Sequence, residues 1–308
     1  MFQRILVPVD GSTFGEHALP WAMSIARRAE ARIELVHVHE SISSLEVMEW
    51  GAETVQQAIQ EGKDNARAYL DDLAERVRSI APCEVEATFL EGRVGDALLE
   101  HAEHAKPDLI VLTTHGRGPL SRFWLGSVAD ELVRRATMPL LLIRPDENTP
   151  DLQGEPPLRR ILIPLDGSSF AEQILEPAIA LGSLTQAEYR LLRVVRLAVT
   201  TGPDPWFSPP LHVPDVDLLD QARNYLKRVW ERLQEERSVT VRAHAISAFN
   251  PAEVILDDAE TRHVDLIALA THGRSGLARV FLGSVADKVV RGAKVPVLVQ
   301  RPVAEAGE

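Results

Sequence analysis

RILVPVDGS, Arg4 to Ser12, returns as RILIPLDGS, Arg160 to Ser168. A second block, DLIVLTTHGRGPLSRFWLGSVAD from Asp108 to Asp130, returns as DLIALATHGRSGLARVFLGSVAD from Asp265 to Asp287, identical at 16 of 23 positions. The offset is 156 residues for the first block and 157 for the second, so one net insertion separates the copies. A repeat of this length is a duplicated domain, far longer than a solenoid unit. Between the copies lies PDENTPDLQGEPPL, Pro145 to Leu158, whose prolines and acidic residues read as a semi-rigid linker. The predicted organisation is a first domain over residues 1–145, a linker over 146–158, a second domain over 159–302 and a tail over 303–308.

Within each copy, short runs rich in Val, Ile and Leu alternate with longer helical patterns. That order marks a parallel sheet covered on both faces, whose strands read as continuous apolar runs. In the first copy strands are predicted near Arg4 to Val9, Arg32 to His39, Glu84 to Glu91, Asp108 to Thr113 and Leu140 to Arg144. Helices near Glu16 to Glu30, Glu53 to Ser79, Val94 to His104 and Ser127 to Arg135 separate them. The second copy repeats the order, with strands near Arg160 to Leu165, Glu188 to Arg196, Thr240 to Ile246, Asp265 to Leu269 and Val297 to Gln300. Right-handed crossovers then make an α/β protein of two tandem, doubly wound, five-stranded and mainly parallel sheets.

A length of 308 residues with 45% hydrophobic content lets each half bury its own core. The net charge of -12 argues against a polyanion such as nucleic acid as partner. A single cysteine, Cys83, excludes an internal disulfide framework and fits a reducing cytoplasm. The N-terminal MFQRILVPVD reads directly into a strand without the pattern of a signal peptide, and no apolar run suggests a membrane span.

In doubly wound sheets ligands bind outside the carboxyl ends of the strands, which is where both repeated blocks fall. Nine residues separate Gly116 from the pair Gly126-Ser127, and the copy is Gly273 with Gly283-Ser284. Glycine lets backbone amides approach a phosphate, and a helix opening at Ser127 or Ser284 would present free N–H groups and a positive dipole end. A turn with an ordinary N-cap is the alternative for the Gly-Ser pair. Asp10 and Asp166, each followed by Gly-Ser, end the first strands and can accept hydrogen bonds from ribose or adenine, or can form an Asx turn.

On these motifs both halves resemble the universal stress protein family in its tandem form, over nearly the whole chain apart from the linker and the loops after the second strands. The resemblance implies an adenine nucleotide alpha hydrolase-like, Rossmann-like fold and binding of ATP, or of AMP or ADP, with magnesium as the nucleotide-bound ion. Nucleotide-binding members carry Gly, two residues, Gly, nine residues, Gly, then Ser or Thr. The last three elements match at Gly116, Gly126, Ser127 and at Gly273, Gly283, Ser284, whereas the first glycine is Thr113 in one half and Ala270 in the other. Ala270 is the smaller intrusion, and Pro119 in place of Gly276 stiffens the first loop, so the second site is expected to be the more permissive. The resemblance further assigns Pro8, Val9, Asp10 and Val38 to the adenosine and Val128 to the phosphates. The matching set is Pro164, Leu165, Asp166, Val194 and Val285. It also implies an internal pseudo-dimer, with the strands Leu140 to Arg144 and Val297 to Gln300 pairing within the chain, and it leaves a homodimer of the chain open.

Arg117 and Arg274 follow the loop glycines and could reach phosphates, or be solvated. His115 and His272 precede them and read as structural. Trp50 in one half, and Trp206 with Phe207 in the other, lie in long loops after the second strands, as lids or as packing. The parts of a strong enzyme are missing: LGSVADELV and LGSVADKVV lack a Walker lysine, Ser12 and Ser168 have no evident triad partners, and EHAEH at Glu100 to His104 lacks the HExxH order and reads as a solvated face. A regulatory nucleotide-binding protein is the first expectation. A slow ATP hydrolase and a protein interaction module that has lost nucleotide are the alternatives.

Overall fold

The structure, a computed structural model, describes residues 2–40, 52–114, 125–197, 216–237, 239–271 and 282–302. The chain divides into two compact units, Met1–Pro156 and Pro157–Glu308. In the first, strands β1 (Arg4–Val9), β2 (Arg32–His39), β3 (Val85–Glu91), β4 (Leu109–Thr113) and β5 (Leu140–Ile143) alternate with helices α1 (Leu19–Ala29), α2 (Ala52–Ile80), α3 (Val94–Ala105) and α4 (Ser127–Arg135). Their order across the sheet is β3-β2-β1-β4-β5, every described pair parallel.

The second unit repeats the plan with β6 (Arg160–Pro164), α5 (Ser169–Glu172), α6 (Leu175–Ser183), β7 (Glu188–Arg196), α7 (Val216–Arg237), β8 (Val241–Ala248), α8 (Pro251–Thr261), β9 (Leu266–Ala270), α9 (Ser284–Gly292) and β10 (Val297–Gln300). Its order is β8-β7-β6-β9-β10, again parallel. The expected first helix, near Glu16 to Glu30, is divided in both units. In the first a 3-10 turn at Gly15–Ala18 precedes α1, which carries Pro20 in its first turn, where the missing N–H has no intrahelical partner to lose. In the second, α5 and α6 are separate.

Ile5, Leu6 and Val7 are fully buried, as are Ile161, Leu162 and Ile163, because helices cover both faces of each sheet. The helices turn apolar stripes inward at helical spacing: Leu70, Leu73, Ala74 and Val77 from α2, Leu98, Leu99 and Ala102 from α3, and Ala129, Leu132 and Val133 from α4. The repeated Asp108 and Asp265 have a structural role. Asp108 Oδ2 accepts the N–H groups of Gln3 (2.7 Å) and Arg4 (2.9 Å), and Asp265 Oδ2 accepts those of Arg159 (2.7 Å) and Arg160 (2.9 Å). Each clamp ties the start of the unit's first strand to that of the fourth.

Part of the predicted linker packs on the first unit, since Glu155 receives Arg27 and Arg28 from α1. Leu158 is buried in the second unit, and its carbonyl accepts the Thr185 hydroxyl at 2.5 Å. In that unit the ring of Tyr189 is fully buried and its hydroxyl donates to the Ile179 carbonyl at 3.0 Å. Gly182 packs against this hydroxyl, and an added Cβ would stand 2.8 Å from Ile161 Cδ1. Gly182→Ala is therefore expected to destabilise the second unit by about 1–3 kcal/mol through overpacking, read as a lower midpoint in urea unfolding.

Candidate functional site

The sheets position the site through strand order. β1 lies between β2 and β4, and β6 between β7 and β9, so the chain leaves neighbouring strands toward opposite flanks and a crevice opens at their carboxyl ends. Pro8 and Val9 close β1, Val38 stands near the end of β2, and Thr113 is the last residue of β4. Pro164, Val194 and Ala270 take the same places in β6, β7 and β9.

The Asp-Gly-Ser turns are nearly identical. Asp10 Oδ1 accepts Ser12 N–H at 3.0 Å and its hydroxyl at 2.6 Å, and Ser12 Oγ accepts Gly15 N–H at 3.1 Å. Asp166 Oδ1 accepts Ser168 N–H at 2.9 Å and its hydroxyl at 2.5 Å, and Ser168 Oγ accepts Ala171 N–H at 3.2 Å. The Asx turn is thus built in both units, with one carboxylate oxygen holding it. Gly11 (φ 83°) and Gly167 (φ 84°) sit in the left-handed region the turn requires.

At the Gly-Ser pairs the glycine, and not the serine, is the cap. Gly126 precedes α4 and Gly283 precedes α9, while Ser127 and Ser284 are the first helical residues and neither helix has a side-chain cap hydrogen bond. Gly126 N–H donates to Thr114 O at 2.7 Å and Gly283 N–H to Thr271 O at 2.9 Å, which holds the helix starts against the ends of β4 and β9. Ser284 and Val285 are exposed there. Gly116, Arg117, Gly273 and Arg274 lie outside the described residues, as do His115, His272, Pro119, Gly276, Trp50, Trp206 and Phe207.

In the second unit these positions converge on one cleft of about 830 Å³, within the ~300–1,000 Å³ span of small-molecule sites. Pro164, Leu165, Asp166, Val194, Ala270, Gly283, Ser284 and Val285 all line it. So do residues that motif reading missed: Arg193 and Arg196 from β7, and Gln221, Asn224, Tyr225 and Arg228 from α7. A smaller pocket of about 290 Å³ shares Arg196, Pro251, Ser284 and Val285 with the cleft and adds Asn250 and Lys288.

Tyr225 had a legible signal, since Glu172, Tyr225 and Arg232 repeat Glu16, Tyr69 and Arg76 at the same offset of 156. Tyr69 donates to Glu16 Oε1 at 3.2 Å, and Arg76 binds both oxygens of that carboxylate at 2.9 and 3.2 Å. Arg232 pairs with Glu172 at 2.5 Å. Burial first, then the neighbouring glutamate, pushes the Tyr69 and Tyr225 phenols above their ordinary range. EHAEH is also more than a solvated face. His101 reaches inward, its Nε2 2.6 Å from the buried Glu34, which accepts the Thr88 hydroxyl at 2.8 Å.

The raised phenols stay neutral, favouring the folded chain below pH 10, a contribution lost as pH rises beyond that value. Absorbance at 295 nm is expected to show Tyr69 and Tyr225 un-ionised at pH 11 in the folded protein and titrating near pH 10 in denaturant.

Among the described residues no helix is long and apolar enough to cross a membrane. The family model described as "Universal stress protein family" matches residues 1–144 and again 157–301. A universal stress protein from Mycolicibacterium smegmatis is 27% identical over 308 residues, covering 97% of each chain. One from Methanocaldococcus jannaschii is 33% identical over 146 residues, covering 47% of this chain and 84% of that protein. The crystal structure of a universal stress protein from Archaeoglobus fulgidus aligns with a TM-score of 0.71 at 19% identity, over 97% of this chain and 98% of that one, and shares the fold. Two matched domains, the strand order of each unit and full-length relatives of the same build agree: the chain belongs to the universal stress protein family, with two such domains in tandem.

Proposed function

We propose that this protein is a nucleotide-binding regulator of the stress response, and that the cleft of the second unit holds an adenine nucleotide, ATP in the first place. One observation carries the reading. Pro164, Leu165, Asp166, Val194, Ala270, Gly283, Ser284 and Val285, assigned to a nucleotide from the repeated motifs and the family resemblance, line a single cleft of suitable volume.

The roles follow from chemistry. Val194, Leu165 and Ala270 supply apolar surface for the base, and Asp166 supplies an acceptor for ribose hydroxyls. Gly283 allows close approach to the backbone, and Ser284 offers a hydroxyl that no capping bond uses. A magnesium ion would be carried by the phosphates rather than by a dedicated protein cage. Binding would act by favouring one shape of the second unit over another, since a ligand shifts an equilibrium only through differential affinity.

Calorimetry with ATP and magnesium tests this, with saturable binding as the expected result. No heat from AMP, ADP or ATP at millimolar concentration would sink the reading. In Gly283→Ala the new Cβ stands 3.1 Å from the Thr271 carbonyl oxygen and crowds the phosphate approach. ATP affinity is expected to fall by about tenfold.

A further inference from the structure

Three cations around the second cleft stand where the first unit has acids. At the offsets of the repeat, Arg196 replaces Glu40, Arg228 replaces Asp72 and Lys288 replaces Glu131. Arg196 and Arg228 line the main cleft, and Arg196 and Lys288 line the smaller pocket that opens beside Ser284. Ser284 and Lys288 are four residues apart on α9, which puts them on one face of that helix.

Among the described residues none of these three cations makes an ion pair, in a chain whose net charge is -12. Two charge exchanges elsewhere between the units are made in pairs. Arg32 with Glu86 becomes Glu188 with Arg242, and Glu34 with His101 becomes Arg190 with Asp258. In the first unit Glu131 is held by Arg93 and Arg135, and Asp72 by Arg76. Cations left unpaired around an apolar-walled cavity favour an anion brought into it, and acids in the same places disfavour one. The cleft's own acid, Asp166, accepts the N–H and hydroxyl of Ser168 at the end of β6.

Resting on the nucleotide reading and going beyond it, we infer that Arg196, Arg228 and Lys288 make the second unit selective for a polyphosphate chain. The two units are then unequal: the second takes nucleoside triphosphate in preference to diphosphate and monophosphate, with the outer phosphates in the Arg196–Lys288 pocket. The first, with Glu40, Asp72 and Glu131, rejects that ligand. Arg196 and Lys288 are specificity-determining residues, and the discrimination is electrostatic.

The full chain and the double variant Arg196→Glu/Lys288→Glu are titrated calorimetrically with ATP, AMP and inorganic triphosphate, at low and high salt. Circular dichroism checks that the variant is folded, which exposed positions permit. The expected result is one ATP site per chain, ATP bound about tenfold or more tightly than AMP, and that preference lost in the double variant and reduced by salt. Arg228→Glu alone is expected to give part of the loss. Two equivalent ATP sites, or an ATP preference unchanged in the double variant, would overturn the inference and leave the nucleotide reading standing. Triphosphate binding that the variant abolishes, without binding of any adenine nucleotide, would support the anion cleft and remove the nucleotide reading. Binding of none of the three ligands would overturn both.

Discussion

Two parallel strands that lie side by side and then send their chains to opposite flanks create the crevice on which everything else in each unit depends. β1 and β4 do this in the first unit and β6 and β9 in the second. The arrangement follows from right-handed crossovers, which place the fourth strand on the far side of the first from the second. The aspartates at the amino ends, Asp108 and Asp265, take two backbone N–H groups each and tie the diverging pair together where it does not open. At the carboxyl ends the divergence leaves room in the second unit for the Asp-Gly-Ser turn and the start of a glycine-capped helix to share one cleft.

One backbone plan carries two electrostatic designs. Where the exchanged charge is largely shielded from water, at Glu34 and Arg190, it comes with its partner, because a charge withdrawn from water is costly unless paired. Glu34 is nearly inaccessible and keeps His101 and Thr88, while Arg190 in its place keeps Asp258 through two bonds of 2.6 and 2.7 Å. Around the cleft the side chains reach water, so no such constraint operates. Arg196, Arg228 and Lys288 are exposed, so their sign is not constrained by burial.

Much of this was legible in the sequence. The duplicated blocks announced two α/β units, and the apolar runs marked the strands because doubly covered parallel strands need no alternation. Eight site positions, assigned partly from the repeated motifs and partly from the family resemblance, meet in one cleft of the second unit. The 3-10 turn ahead of α1 was not resolved by the periodicity of Glu16 to Glu30, although Pro20 within that run marks a helix start near Leu19. Nor was the inward turn of His101, which stands among Glu100, Glu103 and His104 in the sequence and whose partner Glu34 lies on a strand 67 residues away. Tyr69 and Tyr225 escaped notice because each sits in a long helix without a motif, although their glutamate and arginine partners recur at a constant spacing.

By itself the sequence determined the duplication, the order of elements and the chemistry offered at each strand end, because these are properties of local pattern and of self-similarity. Only the tertiary structure decided which side chains share a cavity. α7 contributes Asn224, Tyr225 and Arg228 to the cleft from a stretch that local pattern reads as an ordinary amphipathic helix. The same holds for the capping residue, where a turn of backbone dihedral makes Gly283 the cap and releases the Ser284 hydroxyl. Contacts across a sheet join residues far apart in the chain, and no local pattern encodes that distance.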